Sequence, residues 1–185
     1  MYGDERVTLI RDCEAIEVPS GAKIIVKAGS TGVILQSLGG TYSVGIEEGH
    51  QLVRIAAKDA DALGKEAVLG PDLSAASAET TEDLKELVWD QLRTCYDPEI
   101  PINIADLGLV YGCEIKPLKE DGFRVEIQMT LTAPGCGMGD VLKVEVEDKV
   151  SALPGVKELD VELVFEPPWD YSMIPDAAKL TLGMM

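Results

Sequence analysis

The chain has 185 residues, of which 46% are hydrophobic, so it is long enough to bury one or two hydrophobic cores. It carries 33 acidic and 16 basic side chains, a formal net charge of −17. So acidic a surface argues against binding nucleic acid or anionic lipid through a basic patch. No apolar run approaches the roughly 20 residues of a membrane-spanning helix, and the charged first residues lack the apolar core of a secretory signal. The sequence therefore predicts a cytoplasmic protein with no nucleic-acid and no membrane partner.

The first part of the chain, residues 1–72, has the pattern of a small all-β domain. Short apolar segments alternate with glycine-containing turns, which is typical of a small antiparallel barrel or sandwich. The predicted strands cover residues 14–18, 23–27, 32–36, 42–46 and 51–56. Residues 73–79 are mostly small and uncharged, and we interpret them as a linker.

The second part, residues 80–185, predicts an α+β domain with the order helix, strand, strand, helix, strand. A helix capped by Thr80 or Thr81 should end near Cys95, because Pro98 disfavours helix at the residue before it. Two strands at 110–115 and 123–131 precede a second helix at about 139–153 and a third strand at 156–165. We expect both helices on one face of a small mixed sheet. This part holds most of the acidity, since residues 79–185 contain 22 acidic and 9 basic side chains.

The cysteines and the single histidine exclude some common sites. No two of the four cysteines have the two-residue spacing of zinc ribbons, ferredoxins or thioredoxin-type redox sites. Cys13, Cys95 and Cys113 are therefore expected to be free, buried thiols. His50 follows Glu47, Glu48 and Gly49 in a predicted hairpin turn, which argues against a histidine-assisted hydrolase.

Two loops of the second domain could carry chemistry. In the first, Pro98 and Pro101 stiffen a loop that presents Asp97 and Glu99. In the second, Cys136 lies between a strand end and a helix start, where amide groups and the helix dipole favour the thiolate. Nearby carboxylates oppose thiolate formation, so a structural cysteine stays an alternative to a reactive or metal-binding one.

Three motifs resemble a known family. They are Asp97-Pro98-Glu99-Ile100-Pro101, Asp106-Leu107-Gly108-Leu109-Val110 and Leu131-Thr132-Ala133-Pro134-Gly135-Cys136. Together they are similar to the signature of the small domain shared by PaaD, SufT and the eukaryotic cytosolic iron–sulfur targeting factors. The glycine-rich first half and the ending Pro167-Pro168-Trp169-Asp170 make the resemblance to SufT-type proteins of the SUF system strongest. The resemblance implies that Asp97, Glu99, Ile100, Thr132 and Cys136 line a pocket in which the cysteine is the functional residue.

What the resemblance implies is an iron–sulfur cluster assembly factor, not an enzyme, that holds iron or a cluster transiently. Its partners would be apo iron–sulfur client proteins and cluster carriers or scaffolds. Cys136 would be the transfer ligand, with Asp97 and Glu99 as iron-facing or outer-shell oxygens and Thr132 as the donor that orients the thiolate. A site so short of ligands is also compatible with a homodimer.

Two other functions stay open from the sequence. The first is an enzyme that uses Cys136 as a nucleophile on thioester-type substrates. The second is an interaction module without chemistry, with the acidic second domain as its docking surface. The tail from Glu166 to Pro175 is expected either to close the core with Trp169 and Met173 or to bind a partner.

Overall fold

The structure is a computed structural model that describes residues 5–66, 78–97, 100, 102–132 and 138–181. The chain divides into two compact units, the first from residues 1–70 and 136–141 and the second from residues 71–135 and 142–185. Residues 67–77 lie outside the described residues, so the predicted linker at 73–79 and the domain boundary stay predictions. None of the described helices is long and apolar enough to cross a membrane.

The first unit is a single six-stranded antiparallel sheet with the order β1-β4-β5-β6-β2-β3. Its side chains alternate between a buried and a more exposed face, as a sheet with one hydrophobic core requires. The five strands predicted for this part are confirmed, and an additional charged edge strand precedes them. The strands are β1 (Glu5–Thr8), β2 (Cys13–Val18), β3 (Lys23–Val26), β4 (Thr31–Leu38), β5 (Thr41–Ile46) and β6 (Gln51–Ile55).

A 3-10 helix at Ala57–Leu63 follows β6 and packs Ala60, Ala62 and Leu63 into this core. It ends at Gly64, whose φ of 68° lies in the left-handed region that glycine adopts without strain. The sequence analysis had not predicted this helix. Arg11 holds it in place, donating to Asp59 at 2.9 Å and to Asp61 at 2.7 Å.

The second unit begins with α1 (Thr81–Leu92), which starts where the sequence predicts. The Thr80 hydroxyl accepts from the Asp83 amide at 3.1 Å, and the Asp83 carboxylate accepts from the Thr80 amide at 3.1 Å, so the helix has a capping box. Leu84, Val88 and Leu92 form its buried face. The second helix, α2 (Met138–Ser151), packs Leu142, Val146 and Val150 into the same core.

The sheet of the second unit is mixed, with the order β7-β8-β9. β7 (Val110–Pro117) and β8 (Phe123–Met129) form an antiparallel hairpin, and β9 (Val156–Leu163) lies parallel to β8 after the α2 crossover. Val125, Ile127 and Met129 on β8 belong to the core that also holds both helices. The predicted α+β layer with helices on one sheet face is therefore confirmed.

The segment after β9 closes the core, as one of the two expectations for the tail states. The Trp169 indole donates to the Leu107 carbonyl at 2.8 Å, and Ile174 is buried. A short 3-10 turn at Tyr171–Met173 and the unpredicted helix α3 (Asp176–Thr181) complete the described chain. The predicted extension of the last strand to Phe165 is wrong, because β9 ends at Leu163 and the Phe165 side chain is 44% exposed.

Candidate functional site

The predicted loop at 97–104 is closed by backbone hydrogen bonds between the residues at its two ends. The Ile104 amide donates to the Cys95 carbonyl at 2.9 Å, and the Asp97 amide donates to the Ile102 carbonyl at 3.2 Å. Between these bonds the Asp97 carboxylate accepts from the Ile100 amide at 2.9 Å. The carboxylate thus replaces a backbone partner at the turn, as aspartate commonly does.

Asp97 is a buried carboxylate, with only 4% of the residue exposed. Its second oxygen lies 3.4 Å from the Thr132 hydroxyl, which donates to it. Thr132 is half-buried and follows β8. The chain between them is held by the Thr130 amide, which donates to the Leu109 carbonyl at 2.8 Å. The structure therefore brings the ends of α1 and β8 together through the pair Asp97 and Thr132, two residues far apart in sequence.

The five predicted pocket residues are thus placed in part. Asp97, Thr132 and the half-buried Ile100, which packs on the core, lie in one region. Glu99 and Cys136 lie outside the described residues, so their roles stay predictions. The segment containing Cys136 connects Thr132 to Met138, the first residue of α2.

The geometry at Thr132 bears on the role assigned to it from the resemblance. A hydroxyl donates one hydrogen bond, and the contact of the Thr132 hydroxyl with the Asp97 carboxylate is long, at 3.4 Å. The role of Thr132 as the donor that orients the Cys136 thiolate stays a prediction.

The other cysteines are buried, as expected. Cys13, Cys95 and Cys113 are free thiols, and Cys95 donates to the Gln91 carbonyl at 3.6 Å. Burial is the main cause that raises the pKa of Cys13 and of Cys113, so both stay protonated near neutral pH. Within the described ranges, no three side chains of His, Cys, Asp and Glu converge as a metal site would require.

A buried ion pair, which the sequence reasoning missed, connects the two helices near the Asp97 loop. The Lys149 ammonium on α2 donates to the Thr94 carbonyl at 2.8 Å and to the Thr94 hydroxyl at 3.0 Å. It also donates to the Glu145 carboxylate at 2.9 Å. Glu145 and Lys149 are four residues apart on α2, so the sequence alone could have indicated their pairing. It could not have indicated that Thr94 is the third partner.

The comparison with known proteins identifies the family. A family described as iron–sulfur cluster assembly protein matches residues 85–163. A Porphyromonas gingivalis protein named Fe-S protein maturation auxiliary factor is 43% identical over 107 residues, which are 58% of this chain and 94% of that protein. The chain belongs to the iron–sulfur cluster assembly protein family. The resemblance drawn from the three motifs is confirmed.

The chain is also similar to a second maturation factor and to a solved structure. The Staphylococcus aureus Fe-S protein maturation auxiliary factor SufT is 35% identical over 88 residues, which are 48% of this chain and 96% of SufT. The crystal structure of domain of unknown function DUF59 from Bacillus anthracis is 30% identical, with a TM-score of 0.49, covering 59% of this chain and 100% of that one. The family match, at residues 85–163, includes Asp97 and Thr132.

Proposed function

We propose that this protein is an auxiliary factor in the maturation of iron–sulfur proteins, and that Cys136 is the ligand that passes iron or a cluster to apo-proteins. The observation that carries the proposal is the contact between the buried Asp97 carboxylate and the half-buried Thr132 hydroxyl within the family match. Thr132 follows the end of β8 and lies four residues before Cys136 in the chain.

Asp97 supports this proposal because its carboxylate is buried, and burying a carboxylate costs free energy unless hydrogen bonds compensate. Its oxygens accept from Ile100 and from Thr132, so the side chain is fixed in one orientation. A carboxylate and a thiolate together provide too few ligands for a stable iron site. Such a set suits labile binding that a client, a carrier or a second copy of the chain completes.

The proposed partners follow from this incomplete ligand set. Apo iron–sulfur proteins would accept the cargo, and cluster carriers or scaffolds would supply it. The cargo itself is iron or an iron–sulfur cluster that the protein holds transiently. We propose no catalytic turnover, because the single histidine of the sequence, His50, is an exposed residue in the turn between β5 and β6.

The test is complementation in cells that lack the endogenous protein, with the activity of an iron–sulfur enzyme as readout. We expect Cys136→Ala to abolish activation of the iron–sulfur enzyme and to leave an enzyme without a cluster unaffected. Cys113→Ala is the matched control, because it removes a buried thiol that forms no disulfide and lies within the family match, and it should retain function. Full activity with Cys136→Ala would refute the proposed role of the thiol.

A second measurement separates this proposal from the alternatives. Purified protein is titrated anaerobically with ferrous iron and sulfide, and bound metal is followed by absorbance and by analysis after desalting. Labile binding that requires Cys136 supports transfer. No binding, together with full rescue by Cys136→Ala, would indicate an interaction module, and a Cys136-dependent burst with an acyl thioester would indicate an enzyme.

A further inference from the structure

The segment between β9 and α3 is irregular but firmly attached to the second unit. The Tyr111 hydroxyl donates to the Pro167 carbonyl at 2.7 Å, and the Trp169 indole donates to the Leu107 carbonyl at 2.8 Å. Tyr111 occupies a β-bulge in β7, which aims its side chain at this segment. Because both attachments are to well-paired structure, the segment presents its side chains in a fixed arrangement.

This segment exposes an aromatic ring that closure of the core does not require. Trp169 and the buried Ile174 provide the contacts with the core. Tyr171 is 58% exposed, and its ring lies against that of Trp169 with the centroids 5.3 Å apart and the planes at 55°. An exposed ring held by a second ring loses little conformational entropy when it binds a partner, and such rings are enriched at interfaces.

The charges around Tyr171 are mainly negative. Asp170 accepts from the Ser172 amide at 2.6 Å, and the hydrogen bonds with Ser172 lower the pKa of Asp170, so its carboxylate is ionised at neutral pH. Glu166 and Asp176, each five residues from Tyr171 in the chain, are two more exposed acidic residues. Lys179 opposes them with one positive charge: its ammonium lies 3.5 Å from the Asp176 carboxylate, and it also contributes to the lowered pKa of Asp170. The local charge therefore stays negative and favours a cationic partner.

We infer that Tyr171, supported by Trp169 and flanked by Asp170, is a docking point for an arginine side chain on an exposed segment of a partner protein. The planar guanidinium stacks on the open face of the tyrosine ring and places its positive charge among the carboxylates. A second copy of this chain fits poorly, since each copy carries a net charge of −17. The inference goes beyond the proposed function and does not involve Cys136, so each can fail without the other.

The test uses the two tryptophans of the chain as reporters in a ¹⁵N NMR titration of the full-length protein. The probe is a short arginine-containing peptide, and the matched control peptide replaces arginine with neutral citrulline. We expect the Trp169 indole signal to shift saturably with the arginine peptide only, and less at high salt. The Trp89 indole is the internal reference: its surface also carries carboxylates, those of Glu82, Glu86 and Asp90, beside Lys85 and Arg93. An equal shift of the Trp89 signal would indicate non-specific attraction to acidic surface and would contradict docking at Tyr171.

Two variants of one residue decide whether the ring is responsible. Tyr171→Ser should weaken the binding of the arginine peptide by roughly 3- to 30-fold, the range expected for loss of a cation–π contact. Tyr171→Phe keeps the ring and should stay within about twofold of the wild type. Equal affinity for the citrulline peptide, unchanged affinity of Tyr171→Ser, or self-association of the protein that Tyr171→Ser abolishes would each overturn the inference.

Discussion

The sharpest prediction about stability concerns Lys149, whose ammonium connects α2 to Thr94 and to Glu145. In Lys149→Met the methylene part of the side chain is approximately retained, but three hydrogen bonds are lost. Glu145 is only 6% exposed, so its carboxylate then lies in the protein interior without the Lys149 ammonium. Breaking a buried ion pair from one side is strongly destabilising, because the remaining charge is desolvated.

The magnitude follows from this burial. Removing one partner of a fully buried pair costs about 3–5 kcal/mol, and we reduce this to about 2–3 kcal/mol because the Lys149 side chain is 20% exposed. With a urea m value of about 1–3 kcal/mol/M, the midpoint of unfolding should fall by about 0.7–3 M. Glu145→Leu alone should cost only about 1 kcal/mol, because Lys149 keeps both contacts with Thr94.

The assay is equilibrium unfolding in urea followed by tryptophan fluorescence. Trp89 and Trp169 both lie in the second unit, so the signal reports on the unit that contains the ion pair. The double variant Glu145→Leu with Lys149→Met should be more stable than Lys149→Met alone by about 1–2 kcal/mol, since no charge is then left buried. A cost below about 0.5 kcal/mol for Lys149→Met, or strictly additive costs in the double variant, would refute this reasoning.

Two further predictions concern the packing of the tail and the reactivity of the thiols. Gly108→Ala should lower the free energy of unfolding by about 2–3 kcal/mol in the same assay, because the φ of Gly108 is +70° and the new Cβ would lie 2.7 Å from the Met173 carbonyl oxygen. The control is Gly112→Ala, whose Cβ would meet no atom closer than 3.5 Å. Equal losses of stability in the two variants would contradict the explanation. Burial raises the pKa of Cys13 and Cys113, so at pH 8 these thiols remain protonated and should react slowly with a disulfide reagent until urea unfolds the protein. A fast-reacting thiol in the native protein should be absent from Cys136→Ala, and its persistence there would show that a buried cysteine is accessible.

The sequence predicted those helices and strands whose own residues carry a clear local pattern. On β8, Val125, Ile127 and Met129 alternate with polar residues, and all three are buried as the period of two requires. The start of α1 was equally clear, because a capping threonine with an acid three residues later is a local signal. The alternation predicted on β9 failed at Phe165. The Val164 amide already pairs with Met129, the last residue of β8, and no strand among the described residues continues beyond that point.

Elements that depend on distant partners could not be predicted in this way. β1 has one buried residue, Val7, and exists because it pairs with β4 about 25 residues later. The helix α3 and the 3-10 helix at Ala57–Leu63 are short, and short helices need tertiary contacts to be stable.

The sequence by itself determined the α+β class of the second unit, the family, and the residues on which the proposed function depends. These follow from periodicity, from proline and glycine positions and from three motifs, all of which are local in the chain. Only the tertiary structure decided that Thr132 donates to Asp97, that Lys149 reaches Thr94 and that Trp169 reaches Leu107. These contacts join residues more than 30 positions apart, so they depend on how the helices and strands pack, and no local pattern in the sequence specifies them.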